Sequence, residues 1–377
     1  MGEWIEKRMD EIAHFNPRES IPKGKIAKKV AMDKLQSFCR DIPGFEMEAF
    51  SGGTKFRNGD TIMARITPCL ENGKTAKVDV LDDGEVGFGS TEYIVFRAKE
   101  GNDPDFIYYL VTSPLIREPA IKSMVGSSGR QRVQTDVVQG LKVRVPDLEV
   151  QQAIAGILKA LDDKIAVNRR VNENLLQQAQ TLFKERFLSC YDLPLGWKRM
   201  ALGDVSDMGA GGDNPQIISN QKTGDCQYPV YSNGISDEGL YGFTTDYKIS
   251  AESVTVSARG TIGFVCLRHI PYTPIVRLVT LVPHTNIVSA KYLYLWLKNI
   301  PIHGTGTTQQ QLTVPDFRKT EILIPAEADM REFTETVNPL FKQVWANQEE
   351  NAKLADVRDT LLPRLMSGGL DVSRLDI

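Results

Sequence analysis

The feature that most constrains the fold is an internal repeat: the segment that begins at residue 127 and continues into a long helix recurs at a constant offset of 179 residues, and earlier segments recur at looser offsets. Segment 127–146 aligns on 306–325 without a gap. Both copies end in an alternating apolar run that a proline closes, Pro146 in one and Pro325 in the other. A register that holds this far is improbable as chance similarity. The 377 residues are therefore predicted to form two similar halves, each long enough to bury a core of its own.

Each half begins with short alternating apolar runs separated by Gly, Asn and Pro, which is typical of β-strands. The clearest runs are GDTIMARI (59–66), EYIVFRA (92–98), ESVTVSARG (252–260) and VRLVTLVP (276–283). A short helical segment follows in each half, at 106–112 and 291–298, and precedes the strand that ends in proline. Both halves are therefore predicted to be mixed α and β.

Each half ends in a long helical pattern, at about 148–188 and 327–366. Apolar residues and asparagines recur there at alternating steps of three and four, which is the heptad pattern of a coiled coil. The seam positions are Leu158, Leu161, Ile165, Asn168, Asn172, Leu175, Ala179 and Leu182 in the first helix and Val337, Leu340, Val344, Asn347, Asn351, Leu354, Arg358 and Leu361 in the second. Because both helices end equivalent halves of one chain, we expect them to pack antiparallel, with the asparagines fixing their register.

The predicted fold class is α+β, with two similar mixed α/β domains joined by two long antiparallel helices that form a coiled-coil spacer with pseudo-two-fold symmetry. The expected divisions are a first domain at 1–147, a central helix at 148–190, a second domain at 191–326, and a C-terminal helix and tail at 327–377.

Motifs for catalysis and metal binding do not occur in the sequence. There is no G-x-x-x-x-G-K-[ST], no G-x-S-x-G and no helix-opening G-x-G-x-x-G. The four histidines lack the spacing of metal ligands, and the five cysteines never form C-x-x-C. No apolar run approaches the ~18 residues of a membrane span, and the charged segment 1–16 does not fit a signal peptide. We therefore expect a cytoplasmic protein without a metal site.

Polar and basic loops occur at matching places of the two halves. These loops, and the separate turns around Arg65, Asn233 and Arg259, supply the candidate DNA-binding residues. They are Arg65, Ser128, Arg130, Gln131 and Arg132 in the first half and Asn233, Arg259, Thr261, Thr308, Gln309, Gln310 and Gln311 in the second. Arginine and glutamine side chains make bidentate contacts to guanine and adenine edges, and hydroxyl groups hold phosphates. A further basic cluster that would contact phosphates consists of Lys25, Lys28 and Lys29. The net charge of −3 does not exclude DNA, because a polyanion can be bound through one face.

Several separate stretches resemble one family, the DNA-specificity (S) subunits of type I restriction–modification enzymes. They are QQAI (151–154), LDDKI (161–165), TLFKERF (181–187), LPLGWK (193–198), YPVYSNG (228–234), RGTIG (259–263) and LLPRLMSG (361–368). Family members contain a target-recognition domain, a central helix, a second target-recognition domain and a C-terminal helix, which is the order predicted above. The first domain departs from the family because it lacks the Tyr-Pro-Val-Tyr string.

The resemblance implies a non-catalytic subunit that recognises double-stranded DNA. Each target-recognition domain would read one half of an asymmetric, bipartite target. Two methyltransferase (M) subunits would bind along the helical spacer, and two motor and nuclease (R) subunits would complete the restriction complex. S-adenosylmethionine, ATP and Mg²⁺ would belong to these partner subunits, and this chain would bind no cofactor.

The residues by themselves leave two alternatives open. A duplicated coiled-coil adaptor that joins two protein partners without binding DNA would show the same repeat and the same helices. An enzyme whose active site is assembled from distant residues would leave no local motif. Basic loops at matching positions favour DNA binding over the adaptor, and a mobility-shift assay with a random-site DNA library would discriminate between them.

Overall fold

The structure is a computed structural model that describes residues 4–189, 193–304 and 310–372. It divides into two compact units, one formed by Met1–Arg170 with Asn347–Ile377 and the other by Val171–Ala346. Each unit contains a β-rich domain and part of each long helix. Within the described ranges, no helix combines the length and apolar character that a membrane crossing requires. The same ranges contain no group of three or more His, Cys, Asp or Glu side chains that could hold a metal ion.

The described strands of the first unit are β1 (Ile5–Arg8), β2 (Ala13–Phe15), β3 (Ile26–Val30), β4 (Glu46–Ala49), β5 (Thr54–Phe56), β6 (Thr61–Ala64), β7 (Thr75–Lys77), β8 (Gly87–Gly89), β9 (Tyr93–Ala98) and β10 (Lys142–Val145). Its helices are α1 (Met9–Ile12), α2 (Pro104–Thr112), α3 (Pro114–Lys122) and α4 (Thr135–Gly140), followed by the long α5 (Leu148–Phe187), which continues into the second unit.

Two sheets of the first unit have the strand orders β2-β9-β6-β7 and β4-β3-β8-β5, and β1 pairs with β10. Helix α2 packs on β6 and β9 and forms the centre of the core, because every residue from Phe106 to Val111 is buried. Its start is well specified: Asp103 accepts a hydrogen bond from the backbone N–H of Phe106 at 2.8 Å, and Pro104 occupies the first helical position.

The described strands of the second unit are β11 (Lys198–Ala201), β12 (Ser206–Ala210), β13 (Tyr228–Tyr231), β14 (Leu240–Thr244), β15 (Ser253–Val256), β16 (Val265–Arg268), β17 (Thr273–Pro274), β18 (Val279–Pro283) and β19 (Glu321–Ile324). Its helices are α6 (Leu202–Val205), α7 (Ala290–Asn299) and α8 (Val314–Phe317), followed by the long α9 (Glu327–Met366), which continues into the first unit.

The strand orders of the second unit reproduce those of the first. The sheet β12-β18-β15-β16 matches β2-β9-β6-β7, and the sheet β14-β13-β17 matches β4-β3-β8. The pair β11–β19 matches β1–β10, and both pairs are antiparallel. Strand β17 runs parallel to β13, as β8 does to β3. The repeat seen in the sequence is therefore a repeat of topology.

The long helices pack antiparallel in each unit, as expected. In the first unit, Asn168 Nδ2 donates to Asn351 Oδ1 at 2.9 Å. In the second unit, Asn172 Nδ2 donates to the carbonyl of Val344 at 3.2 Å. Leu158, Ile165, Asn168, Asn172, Val344 and Asn347 are buried, and Leu161, Leu175, Asn351 and Leu354 are partly buried. The two-domain α+β architecture with paired long helices is thus confirmed.

Two expectations about local structure are wrong. The heptad seam does not continue to Leu182, whose exposure is 38%; Phe183 and Phe187 are buried instead. The helix there packs into the core of the second domain, and a straight α-helix of 3.6 residues per turn presents positions four apart to one side. The run 276–283 is not a strand throughout, because β18 begins only at Val279 and Val276 has a positive φ.

Candidate nucleic-acid interface

In the first unit, three segments that are distant in sequence meet at the end of β6. Val133 donates its backbone N–H to the carbonyl of Arg65 at 2.8 Å, and Thr67 donates to the carbonyl of Gln131 at 3.0 Å. Arg65 donates its own backbone N–H to the carbonyl of Glu92 at 2.9 Å. The structure therefore brings Arg65 together with the polar loop of the first half.

An ion pair orients Arg132 at this junction. Its Nε donates to Glu92 Oε2 at 2.9 Å and its Nη2 donates to Glu92 Oε1 at 2.6 Å, which is a bidentate arrangement. The hydrogen bonds from Arg132 hold the pKa of the Glu92 carboxyl below its usual range. The Arg132 side chain is still 48% exposed, so its guanidinium plane is held in one orientation while part of it faces solvent.

The remaining residues of this loop form an exposed turn. Arg130 donates its backbone N–H to the carbonyl of Ser127 at 3.0 Å, and Gly129 has a φ of 77° that favours glycine. Ser128 and Arg130 are exposed. Arg65 is more enclosed: it is partly buried, and its Nη2 donates to the carbonyl of Val133 at 3.3 Å.

The second unit has the same construction at the end of β15. Leu312 donates its backbone N–H to the carbonyl of Ala258 at 3.0 Å, and Leu312 lies 179 residues after Val133. Arg259 is exposed, and its Nη2 donates to Gln311 Oε1 at 3.1 Å. An arginine after the strand therefore again meets the polar loop, here through a glutamine.

Only some of the other predicted loop residues of the second unit lie within the described part of the chain. Thr261 and Gln310 are exposed, and Gln311 is partly buried. Thr308 and Gln309 lie outside the described residues. The loop is therefore described only from residue 310 onward.

A sequence profile for the type I restriction modification DNA specificity domain matches residues 1–177 and 194–355, which is most of the chain. The chain belongs to this family. It is the DNA specificity subunit of a type I restriction–modification system, a non-catalytic component, and the resemblance drawn from the motifs is confirmed. The DNA-free adaptor is therefore wrong as a description of this protein.

Similar proteins that are named as specificity subunits agree with this assignment. The specificity subunit of the type I restriction enzyme HindI from Haemophilus influenzae is 25% identical over 98% of this chain and 100% of that protein. A Mycoplasma pneumoniae protein named as a type I specificity subunit is 28% identical over 63% of this chain and 65% of its own length. The crystal structure of an S subunit from M. genitalium has the same fold, with a TM-score of 0.57 at 16% identity over 97% of this chain and 96% of that one.

Asn233 of the specificity subunit holds two loops together. Its Oδ1 accepts from the backbone N–H of Ala258 at 2.7 Å, and its Nδ2 donates to the carbonyl of Val276 at 2.7 Å. Both ends of the amide are therefore engaged inside the domain. We interpret Asn233 as a residue that positions the Arg259 turn, rather than as one that is free to read a base.

The predicted basic cluster is only partly available to DNA. Lys28 pairs with Asp82 at 3.0 Å and with Glu85 at 3.1 Å, and its side chain is 12% exposed. Lys29 pairs with Glu48 at 2.7 Å, whereas Lys25 is exposed. Phosphate contacts by Lys28 and Lys29 would compete with these carboxylates, so we expect Lys25 to contribute most of any contact from this cluster.

The sequence did not reveal the partner that orients Arg132. Glu92 lies about forty residues before Arg132, and no local motif links the two residues. The available signal was positional: Glu92 is the first residue of the predicted run 92–98, where a loop enters a strand, and loop residues are commonly functional.

Proposed function

We propose that the specificity subunit reads an asymmetric, bipartite DNA target, with one half read by each domain. The observation that carries the proposal is the duplicated junction at the ends of β6 and β15. In each domain a backbone N–H of the polar loop donates to the carbonyl of a residue that follows the strand, Arg65 in the first domain and Ala258 in the second. An arginine side chain also donates to the loop, from Arg65 to the carbonyl of Val133 in the first domain and from Arg259 to Gln311 in the second. Arginine and glutamine side chains held at such junctions have the geometry for base-edge contacts in the major groove.

The two junctions differ in their side chains, and this difference supports an asymmetric target. The first contains Arg132 held by Glu92, a combination that favours guanine through the arginine. The second contains Arg259 beside Gln311, which adds the amide that pairs with adenine. Ser128, Arg130, Thr261 and Gln310 surround them as exposed contacts to bases or phosphates.

We also propose the partners that the family resemblance implied. Two M subunits bind along the paired helices, and two R subunits join them. These subunits hold S-adenosylmethionine, ATP and Mg²⁺, while this chain supplies DNA recognition. In the first unit, the long helices α5 and α9 each expose an apolar side chain for such contacts, since Val167 is 52% and Val357 is 47% exposed.

The test is to co-express the full chain with the methyltransferase subunit of its own system in cells without other adenine methyltransferases. Methylated adenines are then mapped across the genome. We expect one motif with two unlike halves separated by unspecified base pairs. A single continuous motif, two identical halves, or methylation without sequence preference would contradict the proposal.

Variants then assign each half to its domain. Arg132→Ala should relax specificity in one half and leave the other unchanged, and Arg259→Ala should do the reverse. Each lost bidentate contact should reduce base discrimination by about 1–3 kcal/mol. Arg199→Ala is the matched control, because Arg199 is a 67% exposed arginine on β11 that is outside both junctions.

A further inference from the structure

The turn between β17 and β18 has an unusual backbone. Val276 has a φ of 53° and Arg277 a φ of 60°, so two consecutive non-glycine residues adopt the left-handed conformation. A β-branched residue is rarely found there, because its side chain crowds the backbone. Both residues are exposed, so the strain is not compensated by burial of their side chains in the core.

Three hydrogen bonds, two to residues 211–212 and one from Asn233, hold this turn. Val276 donates its N–H to the carbonyl of Gly212 at 2.8 Å, and Arg277 donates to that of Gly211 at 2.9 Å. The Asn233 amide binds the carbonyl of Val276 at 2.7 Å. Gly211 permits the close approach, because a Cβ there would lie 2.6 Å from the carbonyl oxygen of Ile275. The strained conformation is therefore imposed by the surrounding structure.

The same amide connects this turn to the Arg259 junction. Asn233 Oδ1 accepts from the backbone N–H of Ala258, the residue before Arg259. One side chain therefore joins the backbone of the Val276–Arg277 turn to the backbone that presents Arg259. Arg277 directly follows the residue whose carbonyl Asn233 binds, so its backbone is linked to the Arg259 turn through a single side chain.

The position of Arg277 matches that of Glu92 in the first domain. The ends of β6 and β15 are equivalent at Arg65 and Ala258, which receive the loop N–H groups of Val133 and Leu312. In the antiparallel registers, Ile62 lies opposite Val95 and Thr255 lies opposite Thr280. Three residues forward from Ile62 and Thr255 are Arg65 and Ala258, and three residues back from Val95 and Thr280 are Glu92 and Arg277. Glu92 and Arg277 therefore occupy equivalent positions. Glu92 is the residue that holds Arg132.

We propose that Arg277 is a specificity-determining residue that reads a base of the second half-site from the strained turn, which Asn233 links to the backbone before Arg259. This inference rests on the proposed bipartite DNA recognition. An exposed arginine on a rigid turn suits bidentate contact to guanine O6 and N7, and the neighbouring exposed Val276 suits apolar contact with a thymine methyl group. A turn needed only to reverse the chain would be built more easily from glycine or asparagine.

The experiment uses the full chain in complex with its methyltransferase subunit and a library of duplex DNA with randomised positions. Bound sequences are selected for the wild type and for Arg277→Ala, Arg277→Lys and the control Arg199→Ala. We expect both Arg277 variants to lose preference at one base pair of one half-site by about 10- to 100-fold, since lysine keeps the charge without the planar fork. The other half-site should stay unchanged, and the remaining base pairs of the affected half-site should keep their preference, which shows that the second domain of each variant is folded.

The outcomes separate the inference from the proposed function. If the wild type selects no bipartite motif, the proposed function fails. If the wild type does select one and Arg277→Ala selects the same motif with equal preference, the role of Arg277 fails alone. If Arg277→Ala weakens binding to all sequences alike and Arg277→Lys restores it, Arg277 contacts phosphate, and the base-reading role is overturned.

Discussion

A buried polar cluster in the first unit provides a direct test of how α2 is held against the long helices. Asp162 of α5 accepts hydrogen bonds from the Tyr109 hydroxyl of α2 and from Arg358 Nη1 of α9, both at 2.7 Å. The Asp162 side chain is 5% exposed and that of Arg358 is 12% exposed. Burial, together with the Asp162 carboxylate, raises the pKa of Tyr109, so its hydroxyl remains a neutral donor. The substitution Arg358→Leu removes the positive charge that pairs with Asp162.

The magnitude follows from the burial of the pair. Removing one partner of a buried ion pair leaves an uncompensated charge and costs about 3–5 kcal/mol, which far exceeds the ~0–1 kcal/mol of an exposed pair. Replacing both Asp162 and Arg358 by leucine removes the charge as well. The cost should then fall to about 1–2 kcal/mol, mainly from the Tyr109 hydroxyl that loses its acceptor.

Hydrogen exchange measured by mass spectrometry on peptides that cover α2 is the suitable assay, because two-unit chains do not unfold in one step. Arg358→Leu should speed exchange of the most protected α2 amides by roughly 10²- to 4 × 10³-fold, and the double variant by roughly tenfold. The matched control is Arg364→Leu, since Arg364 is an exposed arginine on the same helix. If the single variant changed exchange no more than this control, or if the double variant were the more destabilised, the reasoning would be refuted.

Other predictions concern both domains. Arg57 and Arg97 lower the pKa of Glu19 to about 2, so its stabilising contribution is complete above the unfolded value near pH ~4.5 and is lost as pH falls through 2. The difference in local unfolding free energy between wild type and Glu19→Gln, measured by hydrogen exchange of peptides that cover β9, should shrink over that interval; a constant difference would contradict the assignment. Gly211→Ala should lower the melting temperature and disturb the second half-site only, which circular dichroism and methylation mapping check. Val276→Gly should stabilise the second unit by about 1 kcal/mol, because it relieves a left-handed valine; slower hydrogen exchange in β18 is the expected sign.

The large-scale architecture of this protein can be predicted from its amino-acid sequence. The offset of 179 residues and the heptad steps are periodic signals, in which many residues independently indicate the same repeat or the same buried side of a helix. That redundancy is why the two domains, the antiparallel helices and the asparagine layers could be predicted. The sequence also placed an arginine and a polar loop in each half, although the hydrogen bonds of the loops make Ala258, and not Arg259, the structural equivalent of Arg65.

Tertiary structure alone decided which side chains meet. Glu92 orients Arg132, and Tyr109 reaches Asp162, although no spacing rule connects the members of either pair. The apolar run at 276–283 has strand propensity from its first residue, yet hydrogen bonds from Gly211, Gly212 and Asn233 force its start into a left-handed turn. Such contacts depend on the summed register of several strands and loops. A local pattern records the preference of a segment but not the neighbours that overrule it.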